Sequence, residues 1–385
     1  MKENTALITN EDMLLLLSCL GCSRSRIRRL LSAFPALVEL TAYHPGESDS
    51  LCQMEKLPLR AQKLLHNPTV LTSAVQEERE RLNDRGIRFL TPSAPDWPLR
   101  LNRMEDAPLW LFVKGTLPRE DLAAVSVIGS RDASAYGLSM AGLIAESLVT
   151  CGVTVVSGMA SGIDAAAQRA ALRAGGNSLA ILGSGINICY PKENFDLFDA
   201  LIHTPGCGVI SEFPLDSASA AWHFPDRNRL IAALGDCLAL IEARSQRSGS
   251  MITVGQALEQ GKEVFAVPGR ITDPMSMGCN ELIRTGATPL LSPDDILEYL
   301  SGIGVLRTAC SPENTRRIPK LLLPENPSEN QKRICACLSE EPCSLDEIVR
   351  KTGLRIGVAM EVLMELEDLG AVQHNGGNRY SAVYC

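Results

Sequence analysis

The sequence predicts an α/β protein: a doubly wound, mostly parallel sheet with a small helical module before it and a winged helix after it. Three observations predict this. Ala124 to Asp164 reads AVSVIGSRDASAYGLSMAGLIAESLVTCGVTVVSGMASGID, which is strand, small-residue turn, helix, strand, small-residue turn, helix, the order of a parallel βαβ unit. The same alternation continues to about residue 300. Residues 329–385 then change to three short helices and a hairpin.

Taken in order, residues 5–40 read as helical. Asn10 is placed to cap Glu11 to Leu20, Gly21 breaks the run, and Ser23 to Leu31 follows, with Pro35 near its end. The arginines of that second stretch are either a DNA-phosphate contact or a solvated helix face. Residues 41–80 are polar and proline-broken, with a helix from about Ser73 to Asp84. Gly86 to Leu90 and Leu109 to Val113 read as short strands prefixed to the sheet, and Pro95-Asp96-Trp97-Pro98 as a turn. The main unit has strands from Val125, Val153, Ser178, Gly208, Cys237, Glu263 and Thr288. Helices follow from about Tyr136, Asp164, Phe195, Arg227, Met251 and Gly278, and Ser292 caps a last one. Residues 301–328 are rich in Pro and Asn, lack period, and read as a linker carrying Arg316, Arg317 and Lys320. The domain plan is a helical module over 1–70, the sheet domain over 71–300, a linker over 301–328 and a winged helix over 329–385.

In that last unit a helix covers Asn330 to Ser339. Ser344-Leu345-Asp346-Glu347 is a capping box. A longer helix runs from Arg355 to Leu369 and stops at Gly370. Asn375-Gly376-Gly377 joins a hairpin. From Glu329 to Cys385 there are six basic residues (332, 333, 350, 351, 355, 379) against nine acidic ones (329, 340, 341, 346, 347, 361, 365, 367, 368). The helix that would read DNA carries Glu361, Glu365, Glu367 and Asp368, which a phosphate backbone repels. A protein contact is favoured there.

Function is read from the strand ends. Ligands of an open parallel sheet bind beyond the carboxyl ends of its strands. Gly129-Ser130-Arg131 lets backbone N–H groups approach an anion at a helix start, and the Arg131 fork suits phosphate. The plain alternative is a tight turn with an ion-paired surface arginine. Ser157-Gly158-Met159-Ala160-Ser161-Gly162 is either a second binding turn or close strand–helix packing. Gly183-Ser184-Gly185 and Ser248-Gly249-Ser250 close further strands. In Phe224-Pro225-Asp226-Arg227-Asn228-Arg229 an aromatic beside two arginines can stack a base and hold the next phosphate, or the arginines can pair with Glu212 and Glu242. Tyr190 and Lys192 form a second aromatic–basic pair. Asp164 reads as a helix-dipole partner. Neither GxGxxG with a distant acidic residue nor GxxxxGK[ST] is present, so no dinucleotide or P-loop cofactor is expected.

Composition narrows the classes. A formal net charge of −8 with 45% apolar residues leaves nucleic-acid binding to a local basic patch. The thirteen cysteines are odd in number and scattered. With no secretory signal and no apolar run of membrane length, they read as reduced thiols in a cytoplasmic protein without membrane contact. Cys19 with Cys22, and Cys335, Cys337 and Cys343, lack further ligands at zinc spacing, so no metal is expected. The five His form no catalytic arrangement.

An ordered set of motifs then stands out: GSRxxSxYG (Gly129 to Gly137), SGxAxGID (Ser157 to Asp164), LGxGxxxxYPxxN (Leu182 to Asn194), SEFP (Ser211 to Pro214), FPxRNRxIA (Phe224 to Ala232), SGSxIT (Ser248 to Thr253) and AVPG (Ala266 to Gly269). It resembles the DNA processing protein A (DprA or Smf) family, strongly over residues 85–290, and both ends match the family's layout. The resemblance implies a Rossmann-like fold that binds single-stranded DNA without a nucleotide cofactor. It implies a non-enzymatic recombination mediator that protects incoming strands and helps load RecA recombinase in natural transformation. It also implies a homodimer through the Rossmann-like domain. It places Arg131 where the family's arginine grips phosphate, and Lys192 where a basic contact is common. Gln168 stands where the family usually has His, so no imidazole role carries over. The expected DNA-binding set is Gly129, Ser130, Arg131, Ser157, Gly158, Gly183, Gly185, Tyr190, Lys192, Phe224, Arg227, Asn228, Arg229, Ser248 and Gly249. Two readings compete. One is a nucleotide N-glycosidic hydrolase of related fold using Glu212 or Glu242, against which the PGGxGTxxE signature is missing. The other is an interaction scaffold working through the acidic winged helix.

Overall fold

Mostly apolar strands without alternation cannot show either face to water, and only a sheet covered by helices on both sides accommodates several of them. The computed structural model describes residues 8–34, 36–41, 57–65, 67–306, 327–338 and 342–382, and it arranges them so. The chain begins with α1 (Asn10–Cys19), α2 (Arg24–Ala33), α3 (Leu59–Leu65) and α4 (Pro68–Asp84). The cap of α1 is Thr9 rather than Asn10. Thr9 and Asp12 exchange the reciprocal hydrogen bonds of a capping box, while Asn10 Oδ1 accepts from the Val38 N–H at 3.1 Å. Asp12 also pairs with Arg79, which fastens α1 to α4. That helix starts earlier than the sequence suggests because Pro68 suits a first helical turn, and Asn67 Oδ1 accepts from the Val70 N–H. The expected boundary at 70/71 falls inside α4. The expectations for Pro35, for residues 42–56 and for most of the linker, with Arg316, Arg317 and Lys320, lie outside the described residues.

Among the described residues nine strands form one sheet: β1 (Arg88–Leu90), β2 (Leu111–Gly115), β3 (Ala124–Ile128), β4 (Thr154–Ser157), β5 (Ser178–Ile181), β6 (Gly208–Ser211), β7 (Cys237–Leu240), β8 (Glu263–Ala266) and β9 (Thr288–Pro289). Their spatial order is β1-β2-β6-β5-β4-β3-β7-β8-β9. From β6 to β9 every pairing is parallel, and β1 and β2 add an antiparallel edge. The chain lays β3 to β6 outward on one side, then returns to place β7 on the other flank of β3. The winding reverses there, as a doubly wound sheet requires.

One face of the sheet is covered by α5 (Ala135–Thr150), α6 (Ile163–Arg173) and, later in the chain, the helix Pro293–Gly302, through Ile144, Leu148, Ala167, Ile296 and Leu300. Between these in sequence come α7 (Phe195–His203), α8 (His223–Leu234), α9 (Gly249–Glu259) and α10 (Met277–Arg284); the helix Pro293–Gly302 is α11, and it runs past the expected domain end at residue 300. The other face takes Leu230, Ile231, Val254, Ala257 and Leu282 from α8, α9 and α10. Leu197, Phe198 and Leu201 of α7 join the core of the N-terminal helices.

The C-terminal unit has α12 (Glu329–Cys337), β10 (Cys343–Ser344), α13 (Leu345–Thr352), α14 (Ile356–Asp368), β11 (Val372–His374) and β12 (Arg379–Ala382). Its strands pair antiparallel in the order β10-β12-β11 over a core that includes Ile334, Ile348, Leu363 and Leu366. The capping box at Ser344 and Glu347 is present.

Candidate nucleic-acid interface

Because the chain leaves β3 and β7 toward opposite sides, a crevice opens beyond Ile128 and Leu240. It is a cleft of about 450 Å³. The first turns of α6, α8 and α9 reach it, through Asp164, Phe224 with Pro225, and Gly249 with Ser250. Three helix N-termini bring their positive dipole ends to one place. Arg131, Arg227 and Arg244 add charge, against Asp132 and Asp164. The protein's net negative charge thus coexists with a local cationic cleft.

The side chains are organised around Phe224. The guanidinium carbon of exposed Arg131 stands 4.8 Å from the centroid of the Phe224 ring. Tyr190 lies against the same ring, at 5.9 Å between centroids and 48°, and Arg227 approaches it at 6.0 Å. Gly183 leaves room for the ring, since a Cβ there would come within 3.0 Å of it. Phe224 is therefore a platform that aims Arg131, while Tyr190 stays 44% exposed. A smaller recess of about 50 Å³ lies between Gly158, Gly183, Tyr190 and Phe224 and shares both arginines with the main cleft.

Arg227 forms the floor. It is buried, and its Nη1 donates to the Gly158 carbonyl at 2.6 Å and to that of Ile181. Its Nε has no hydrogen-bond partner among the described residues. Its counter-charge is Asp164, whose Oδ2 accepts from the Gly158 N–H at 3.1 Å. Burial raises the Asp164 carboxyl above its usual range despite the nearby guanidinium and the backbone donors. Burial likewise brings Arg227 down to about 10, with Asp164 acting in the opposite direction, so Arg227 stays cationic at neutral pH. Gly158 is glycine because a Cβ would run into the Arg227 guanidinium.

The other expected residues separate clearly. Gly129, Ser130, Asn228, Ser248 and Gly249 line the cleft. Ser157 does not, because it is fully buried and its Oγ donates to the Val127 carbonyl at 2.7 Å. The Gly185 N–H is likewise committed, to Ser217 O at 2.8 Å. Lys192 is exposed in a short 3₁₀ turn, Lys192–Asn194, outside the lining. Arg229 is turned away: within α8, which begins at His223, it lies two residues and so about 200° of rotation from Arg227. It is buried, bonded to Glu212 and to the Asp106 carbonyl at 2.8 Å. Glu212 also holds Arg24 of α2 at 3.2 Å, and Arg28 bonds the Ala107 carbonyl, so two of the N-terminal arginines serve packing between the helical module and the sheet. Arg244 and Ser250, not in the expected set, line the cleft, and the buried Ser250 Oγ has no hydrogen-bond partner among the described residues.

Neither glutamate of the hydrolase reading lines the cleft. Glu242 accepts from the Ser134 N–H at 2.9 Å and from its Oγ, and burial raises its pKa while these bonds lower it. Ser134 Oγ in turn accepts from the Gly137 N–H at 3.0 Å and caps α5. Ser134→Ala is expected to lower unfolding free energy by about 1 kcal/mol through loss of this cap, read as a lower urea midpoint at unchanged slope. Elsewhere, burial pushes the Cys19 thiol up to about 12, and Cys151, expected reduced, is disulfide-bonded. Among the described residues no helix is long and apolar enough to cross a membrane.

Residues 88–301, which contain the whole sheet and the cleft, match the family of DNA recombination-mediator protein A. The chain belongs to that family. Residues 319–378 match the DprA winged helix domain. The chain is 38% identical over 279 residues to protein Smf of Escherichia coli, covering 71% of this chain and 72% of the relative. It is 41% identical over 202 residues to DNA processing protein DprA of Streptococcus pneumoniae, covering 52% of this chain and 70% of that one. The crystal structure of DNA processing protein A from Streptococcus pneumoniae aligns with a TM-score of 0.59 at 30% identity, over 76% of this chain and 98% of that one. The role that follows from membership is DNA processing as a recombination mediator.

Proposed function

We propose that this chain grips single-stranded DNA in the cleft at the winding reversal, without catalysis, and that it delivers the strand to RecA recombinase during natural transformation in the cytoplasm. The observation that carries the reading is the exposed Arg131 held over Phe224 beside two further arginines and three helix N-termini. These elements bind phosphate, and Tyr190 offers a stacking face to one base at a time. A rigid duplex has no unstacked base to offer it. Pairing two chains through the sheet domain would link two clefts and raise apparent affinity.

The test is fluorescence anisotropy of a labelled oligonucleotide, single- or double-stranded, across a salt series with the full chain. Tighter binding of the single strand, with log affinity falling by about 0.7 per phosphate neutralised for each decade of salt, is the expected result. Absence of binding, or equal binding of duplex, would overturn the reading.

A further inference from the structure

The third helix of the winged helix carries a surface that the cleft does not use. Along α14, Ile356, Met360 and Met364 are 54%, 43% and 63% exposed, while Ala359, Val362, Leu363 and Leu366 face the core. The exposed three are spaced four residues apart and form one ridge about 12 Å long. Next to it, Glu361, Glu365 and Asp368, four and then three residues apart, share a neighbouring face and are also exposed; Gln331 of α12 steadies Glu365 with a 3.0 Å hydrogen bond. Two parallel stripes, one apolar and one acidic, thus lie on the helix that in a DNA-reading winged helix would enter the major groove.

We infer that the Ile356-Met360-Met364 ridge with its acidic flank docks an amphipathic basic helix of another protein. An exposed apolar ridge calls for apolar cover, and unbranched methionines adapt to a partner's ridge. The acidic stripe selects lysines and arginines beside that ridge and repels phosphate, which excludes a nucleic-acid backbone as the occupant. A second copy of the chain is a poor fit, because two-fold pairing of these helices sets acidic stripe near acidic stripe.

The experiment titrates the full chain against a labelled 18-residue helical peptide of Leu and Lys, with leucines on one face, and against its Leu–Glu counterpart. The expected result is saturable one-to-one binding of the Lys peptide and none of the Glu peptide. Binding should be at least tenfold weaker in Met360→Ser/Met364→Ser and in Glu361→Gln/Glu365→Gln. Both variants should keep the wild-type circular dichroism and the wild-type affinity for single-stranded DNA. Binding of the Lys peptide unchanged in both variants would overturn the proposal. So would duplex-DNA binding, or a dimer seen by sedimentation, that Met360→Ser/Met364→Ser abolishes.

Discussion

Arg131→Ala is expected to weaken binding of a single-stranded oligonucleotide by about tenfold to a hundredfold and to make the salt slope shallower by about 0.7. A charge-assisted hydrogen bond contributes about 1.5–3 kcal/mol, and each 1.4 kcal/mol is about tenfold in affinity. Losing one phosphate contact on a single strand removes about 0.7 from the slope. Because Arg131 is exposed and touches its surroundings through the Phe224 ring, the urea midpoint should not move. Phe224→Leu is the companion variant. It leaves the charge and removes the platform, so affinity falls by a smaller factor, set by about 0.5–1 kcal/mol of cation–π energy, with the slope unchanged. An Arg131→Ala protein with wild-type affinity and slope would remove Arg131 from the interface.

How much of this was legible in the sequence depends on how local each determinant is. The parallel sheet was legible because β3, β4, β5 and β7 are buried on both faces, and that requirement writes itself into continuous apolar runs. Gly129-Ser130-Arg131 was legible because a turn at a strand end is a local feature. Arg227 and Arg229 were grouped together, but two residues along a helix point about 200° apart, so α8 turns one to the cleft and the other to Glu212. Ser157 and Gly185 have the composition of a phosphate-binding turn, and only the fold reveals that their polar groups are already bonded to Val127 and Ser217. Arg244 was left out of the expected set because its place at the cleft rests on β7 lying beside β3, a pairing between segments more than a hundred residues apart. Glu212 and Glu242 had been read as partners for the cleft arginines. Glu212 does pair with Arg229, but below the cleft, and Glu242 serves a helix cap instead.

Asp164→Ala is expected to cost the sheet domain about 1–3 kcal/mol, because it leaves the buried Gly158 N–H unsatisfied and removes the negative charge that offsets buried Arg227. Arg227 cannot escape to solvent, because its Nη1 is fixed by the carbonyls of Gly158 and Ile181. Without Asp164 it is a buried cation with only dipoles for company, and the Gly158 N–H loses its acceptor as well. A loss of that size is measurable against the roughly 5–15 kcal/mol that holds a domain folded. Urea unfolding followed by the buried Trp97 and Trp110 reads it directly. Asp164→Asn separates the two contributions: it keeps an acceptor for Gly158 and removes only the charge, so it should fall between wild type and alanine. The double variant Asp164→Ala/Arg227→Met should be more stable than Asp164→Ala alone, since the orphaned cation has gone, and the coupling energy of the cycle measures the pair. Its affinity for single-stranded DNA should nonetheless be below wild type, because the floor of the cleft has lost its charge. A cost for Asp164→Ala below about 1 kcal/mol, the range of a surface pair, would show that Asp164 is not what permits a buried arginine beneath this cleft.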